Sequence, residues 1–182
     1  MWVKENDMSI LLIVVVEDKE EERTNALEAI KRALVTPGAT ESRFEYEKGR
    51  EQIAFGGERP VMVHFAPHLA LAHERISFAK ELGDKGMVIS SVITDLMFPA
   101  NKGEKEEPNG LGVLATCIRD SLPVVVCSDT DHHDVNYLKD VFPILGSAHP
   151  RGKIPVIFDK KDWDKAVAEL LKMLEADTQT PV

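Results

Sequence analysis

The sequence predicts an α/β protein in which a five-stranded parallel sheet is doubly wound, with helices on both faces. Three observations carry that prediction. Short runs such as Ile10 to Val16 and Pro123 to Cys127 are apolar at almost every position, as a strand buried on both faces must be. Longer stretches between them place apolar residues at helical spacing. The two kinds of segment alternate five times along the chain, and right-handed crossovers turn such an alternation into a parallel sheet covered front and back.

Each element has its own justification. Ile10 to Val16 reads ILLIVVV, a β-branched run bounded by acids, and is expected as the central strand. The next segment carries Leu27, Ile30 and Leu34 on one helical face, with acids in its first turn and Lys31 and Arg32 in its last, the arrangement the helix dipole favours. Thr36-Pro37-Gly38 stops it. Residues 38–59 are polar and glycine-bearing, so they read as a long excursion without regular structure. Val61 to Phe65 is a second strand, followed by a helix from Leu69 to Leu82 that ends at Gly83. Met87 to Thr94 is the third strand, and Pro99 to Gly110 is a loop by composition. A helix follows from Leu111 to Asp120, then a fourth strand from Pro123 to Cys127. A helix near Asp134 to Val141, a fifth strand from Ile154 to Phe158 and a last helix from Lys161 to Leu174 complete the series. The whole reads as a single domain over 9–175, with long insertions near 36–60, 99–110 and 142–153 and flexible ends at 1–8 and 176–182.

Composition limits what such a domain does. The chain has 182 residues, 43% of them hydrophobic and 29% charged, with a net charge of −9. An acidic chain with no basic track is a poor partner for a phosphate backbone, so no nucleic acid is expected. No apolar run approaches the roughly 20 residues of a membrane span. The start has no signal-peptide core, so a cytoplasmic location is expected. Cys117 and Cys127 sit in apolar surroundings and read as buried thiols.

In doubly wound sheets the functional site lies at the carboxyl ends of the strands. The sequence puts chemistry there. The first strand ends at Glu17 and Asp18, the third at Asp95 within VITDLMFP, the fourth at Ser128 and Asp129, and the fifth near Asp159, Lys160 and Lys161. Three carboxylates on one rim repel one another unless a cation sits among them. Magnesium, which takes hard oxygen ligands, is the expected one. A carboxylate beside it can accept a phosphoryl group, while a hydroxyl and an ammonium hold the phosphoryl oxygens.

At these residues the chain resembles a known family. LLIVVVEDKEE, VITDLMFP, NGLGVLATCIRDSLPVVVCSD and IPVIFDKKDW are similar, in that order, to the receiver domain of two-component response regulators. The resemblance covers Ile10 to Leu174 and implies a flavodoxin-like strand order, 2-1-3-4-5. It makes Asp95 the phosphoacceptor, Glu17 and Asp18 the acidic pair, and Asp18 a direct magnesium ligand. It makes Met97 a further ligand through its backbone carbonyl, and Ser128 the switch hydroxyl. Lys160 is the choice for the site lysine, although strict counting places Asp159 there and matching the family's switch aromatic to Phe158 favours Lys161. The implied protein is a stand-alone response regulator. A histidine kinase or phosphotransfer protein would phosphorylate it, and it would signal through a downstream protein, with homodimerisation compatible.

Three features depart from the family pattern: the acidic Asp129 after Ser128, no proline after the lysine, and the long insertions. They fit a pseudo-receiver that keeps the fold and acts only as a protein-interaction module. A rival from another class is a toprim-like, Mg2+-dependent nucleic-acid enzyme using Glu17, Asp129 and Asp131. Asp129 to Asp134, DTDHHD, is also a weak candidate for a transition-metal site, and His64, His68 and His73 read as structural or solvated.

Overall fold

The computed structural model describes residues 10–45, 51–57, 59–129, 138–150, 153–157 and 161–178. Its elements run β1 (Ile10–Val16), α1 (Glu20–Leu34), β2 (Glu41–Glu45), β3 (Glu51–Phe55), β4 (Val61–Ala66), α2 (Leu69–Asp84) and β5 (Val88–Thr94). They continue with β6 (Phe98–Pro99), β7 (Glu106–Glu107), α3 (Gly110–Asp120), β8 (Val124–Cys127), α4 (Leu138–Ser147), β9 (Val156–Ile157) and α5 (Trp163–Thr178).

The central sheet has the order β2-β3-β4-β1-β5-β8-β9. β4, β1, β5, β8 and β9 are parallel to one another. β1 lies in the middle, and Leu11 to Val16 are fully buried, which is why six successive positions must all be apolar. α1 and α5 cover one face, where Leu27, Ile30, Val167 and Leu170 pack against Ile13, Val15 and Ile93. α2 and α3 cover the other, with Leu71, Ile76, Val113 and Leu114 against Leu12, Val14 and Val92. α4 packs beside α3. Cys117 and Cys127 are free and buried, and burial pushes both thiols up.

Three expectations need correction. The sheet has seven strands among the described residues, not five, because part of the 36–60 excursion is an antiparallel hairpin, β2–β3, added to the outer edge of β4. Among its described side chains, Ile53 and Phe55 are the ones buried in the α1 core, while Gln52 and Ala54 are half-buried on the other face. The loop after Pro99 likewise contains a small antiparallel pair, β6–β7. α5 also runs on to Thr178, past the expected stop at Leu174. Among the described residues no helix is long and apolar enough to cross a membrane.

Candidate functional site

The parallel register builds one acidic rim. Val16 of β1 pairs with Thr94 of β5, and the ladder continues one residue further, with the Asp95 N–H donating to Val16 O at 2.9 Å. Glu17 N–H donates to Ala66 O of β4 at 3.1 Å. Glu17 and Asp95 therefore leave adjacent strands at the same level, and both are buried. Asp18 follows at the turn and is half-buried. Glu17, Asp18 and Asp95 each offer a carboxylate oxygen, and these oxygens lie within 4.8 Å of one another.

The turn is tied down locally. Arg23, one turn into α1, donates through Nη1 to Glu17 O at 3.1 Å and to Asp18 O at 2.7 Å. Lys19 N–H donates to Glu17 Oε1 at 2.9 Å. Opposite, α3 begins against the end of β5, and Gly110 N–H donates to Leu96 O at 3.0 Å. A Cβ on Gly110 would lie 2.5 Å from Asp95 O and 2.7 Å from Leu96 Cα, so only glycine admits this approach.

Asp95 is held at both oxygens. Oδ1 accepts from Leu96 N–H at 2.6 Å, from Met97 N–H at 3.4 Å and from the Ser128 hydroxyl at 2.6 Å. Oδ2 accepts from the Lys161 ammonium at 2.8 Å. The same ammonium donates to Glu17 Oε2 at 2.6 Å. Lys161 is buried and has a left-handed backbone, φ 45°, a conformation that costs a lysine on the order of 1 kcal/mol. Burial opposes its charge, but Asp95 and Glu17 outweigh that and hold its pKa above the usual range. Glu17 is pushed up to about 7, first by burial and then by Asp95, against the pull of Lys161.

A hard divalent cation fits this donor set. All three groups are carboxylates, and Asp18 Oδ1 is buried with no hydrogen-bond partner among the described residues, an orphaned acceptor of the kind that coordination satisfies. A cleft of about 640 Å³ opens beside Asp18, lined also by Arg23, His68, Leu71, Lys102 and Glu104.

Of the residues singled out from sequence, Glu17, Asp18, Asp95 and Ser128 come together here, with Met97 next to them and half-buried. Lys160 lies outside the described residues. Among the described residues, the ammonium that bridges Glu17 and Asp95 is that of Lys161, the register that the switch-aromatic match favours. Asp131 and the rest of the DTDHHD segment beyond Asp129 also lie outside them, as does Phe158. His68 caps α2, accepting from Leu71 N–H at 3.2 Å, and His64 is buried against the Phe78 ring. Sequence reading missed Arg23, Lys19 and Gly110. The asparagine–glycine pair before α3 was the one available signal for Gly110, while nothing in the sequence marks Arg23 as a backbone clamp.

No family model and no curated protein matches the chain. Among solved structures, a fusion protein carrying a trimeric coiled coil of yeast Spc42 is similar over 95% of this chain and 84% of its own, with TM-score 0.50 and 13% identity. A two-component transcriptional regulator, AraC, from Clostridium phytofermentans ISDg is similar over 93% of this chain and 99% of its own, with TM-score 0.46 and 16% identity. Translation elongation factor SelB from Methanococcus maripaludis, in complex with the GTP analogue GPPNHP, is similar over 96% of this chain and 35% of its own, with TM-score 0.46 and 13% identity. The first likeness is one of fold alone, and the two at 0.46 carry no argument.

Proposed function

We propose that this chain is a receiver-type signalling protein that accepts a phosphoryl group on Asp95 and passes the signal to a partner protein. The observation that carries this reading is the set of contacts on one carboxylate. Asp95 receives the Ser128 hydroxyl on one oxygen and the Lys161 ammonium on the other, with Glu17 and Asp18 alongside. The parallel strands also support it, since in chain order they stand second, first, third, fourth, fifth across the sheet, the flavodoxin-like arrangement.

In this reading a histidine kinase or phosphotransfer protein donates the phosphoryl group. Asp95 Oδ2, whose one hydrogen bond among the described residues is from Lys161, forms the new P–O bond as the donor's P–N bond breaks. The electron pair leaves with the imidazole, which takes up a proton. Glu17, Asp18 and Asp95 would hold Mg2+, which supplies charge neutralisation for the transferring group. Lys161 and Ser128, which now contact the Asp95 carboxylate, would then follow the phosphoryl oxygens.

One observation favours a second reading, the phosphorylation-independent interaction module. Lys161 already bridges Glu17 and Asp95 at 2.6 and 2.8 Å, so an internal ammonium offsets part of the charge of these two carboxylates without any bound ion. Incubation with phosphoramidate and Mg2+, followed by intact mass spectrometry, separates the two. The receiver reading expects one phosphoryl adduct, lost in Asp95→Asn. No adduct at any donor concentration would leave the interaction module standing.

A further inference from the structure

Asp129 sits at the mouth of the acidic site between two ammonium groups. Its Oδ1 is 4.0 Å from the buried Lys161 Nζ, and its Oδ2 is 3.6 Å from Lys19 Nζ. Asp129 and Lys19 have side chains about half exposed, 50% and 45%. Lys19 is rooted inside the site, because its backbone N–H donates to Glu17 Oε1 at 2.9 Å, while its side chain crosses the opening toward Asp129. Glu106, on β7 of the small hairpin after Pro99, adds a further negative charge acting on Lys19. Burial and Lys161 oppose the Lys19 charge, but the three surrounding acids prevail and raise its pKa.

We infer that Lys19 and Asp129 form a charge gate that determines which ions reach Asp95. Asp129 adds a carboxylate where an incoming anion would first meet Lys161, so it repels anionic phosphoryl donors and draws divalent cations inward. Lys19 offsets that field and offers an approaching anion its first positive contact. An ion pair this long and exposed is weakly held, so the gate opens without remodelling the fold. The cation arm stands on the carboxylate geometry alone, and the donor arm rests on the phosphoryl reading above.

Opposite signs are the signature. Removing the negative charge with Asp129→Asn weakens divalent binding and speeds the anionic donor. Removing the positive charge with Lys19→Met does the reverse. A merely structural role would move both variants the same way. Mn2+ stands in for the hard divalent ion, and electron paramagnetic resonance titration of the full chain gives its affinity. At low salt, Asp129→Asn should raise the Mn2+ Kd roughly fivefold and Lys19→Met should lower it roughly threefold, both effects shrinking at 0.5 M salt. Asp129→Glu, which keeps the charge, should retain wild-type affinity. Rates of adduct formation with phosphoramidate should move the opposite way for each variant. Equal Mn2+ affinities, no Mn2+ binding in any variant, or shifts of one sign in both variants would overturn the gate. If the Mn2+ affinities divide as stated while no protein takes a phosphoryl group, the gate stands and the phosphoryl reading fails.

Discussion

Burial and Asp95 raise the Glu17 carboxyl from 4.5 to about 7. Its folded pKa thus lies above the unfolded one, so the protonated form stabilises the fold below pH 4.5 and that contribution is lost as pH rises through 7. Glu17→Gln, an isosteric neutral side chain, should therefore be more stable than the wild type at pH 8 in EDTA, by on the order of 3 kcal/mol. The gap should shrink to below about 1 kcal/mol at pH 5 in denaturant unfolding, and a gap independent of pH would contradict the assignment. His64 shows the opposite sign. It is buried with both ring nitrogens unpartnered among the described residues, and burial, then Arg75, lowers it from 6.5 to about 4. Its neutral form stabilises the fold above pH 6.5, and that contribution is lost as pH falls toward 4. His64→Leu should flatten the stability profile across that window by up to about one proton, and an unchanged slope would show that His64 titrates freely. At this scale the sequence showed the acids clearly and the lysine poorly. Two adjacent lysines differ by one register step, and the left-handed backbone of Lys161, whose ammonium meets Glu17 and Asp95, leaves no mark in the sequence.

Elements with two buried faces were the most legible. β1 and β8 announce themselves because each lies between two parallel neighbours, and both read as continuous apolar runs. The β2–β3 hairpin was illegible for the converse reason. It lies at the sheet edge, and Ile53 and Phe55 are its only core-forming positions among the described residues. The junction of β5 and α3 makes a testable demand of its own. Gly110→Ala must push the Asp95–Leu96 backbone away, since its methyl would stand 2.5 Å from Asp95 O. The expected cost is about 1–3 kcal/mol of unfolding free energy, as for other overpacked sites. A weaker Mn2+ affinity should accompany it, because the displaced segment carries a carboxylate of the site. Wild-type stability in this variant would mean that the close approach is not rigid.

Taken as a whole, the molecule uses its sheet as an alignment device. Parallel pairing brings together residues separated by as much as 144 positions, Glu17 and Lys161, and places them at one rim with their charges opposed. That convergence was foreseeable from strand ends in order, because a parallel register leaves a strand-end side chain little freedom in level. The mouth was not foreseeable, since Lys19 and Asp129 meet through turns whose path no periodicity describes. The direct test of the phosphoryl account is chemical capture at the acceptor. Borohydride reduces an aspartyl phosphate to homoserine, so the protein treated with phosphoramidate and Mg2+, then reduced, should carry that mark at position 95 in peptide mass spectra. A mark at another carboxylate, or none where intact protein gains phosphate, would contradict Asp95 as the acceptor.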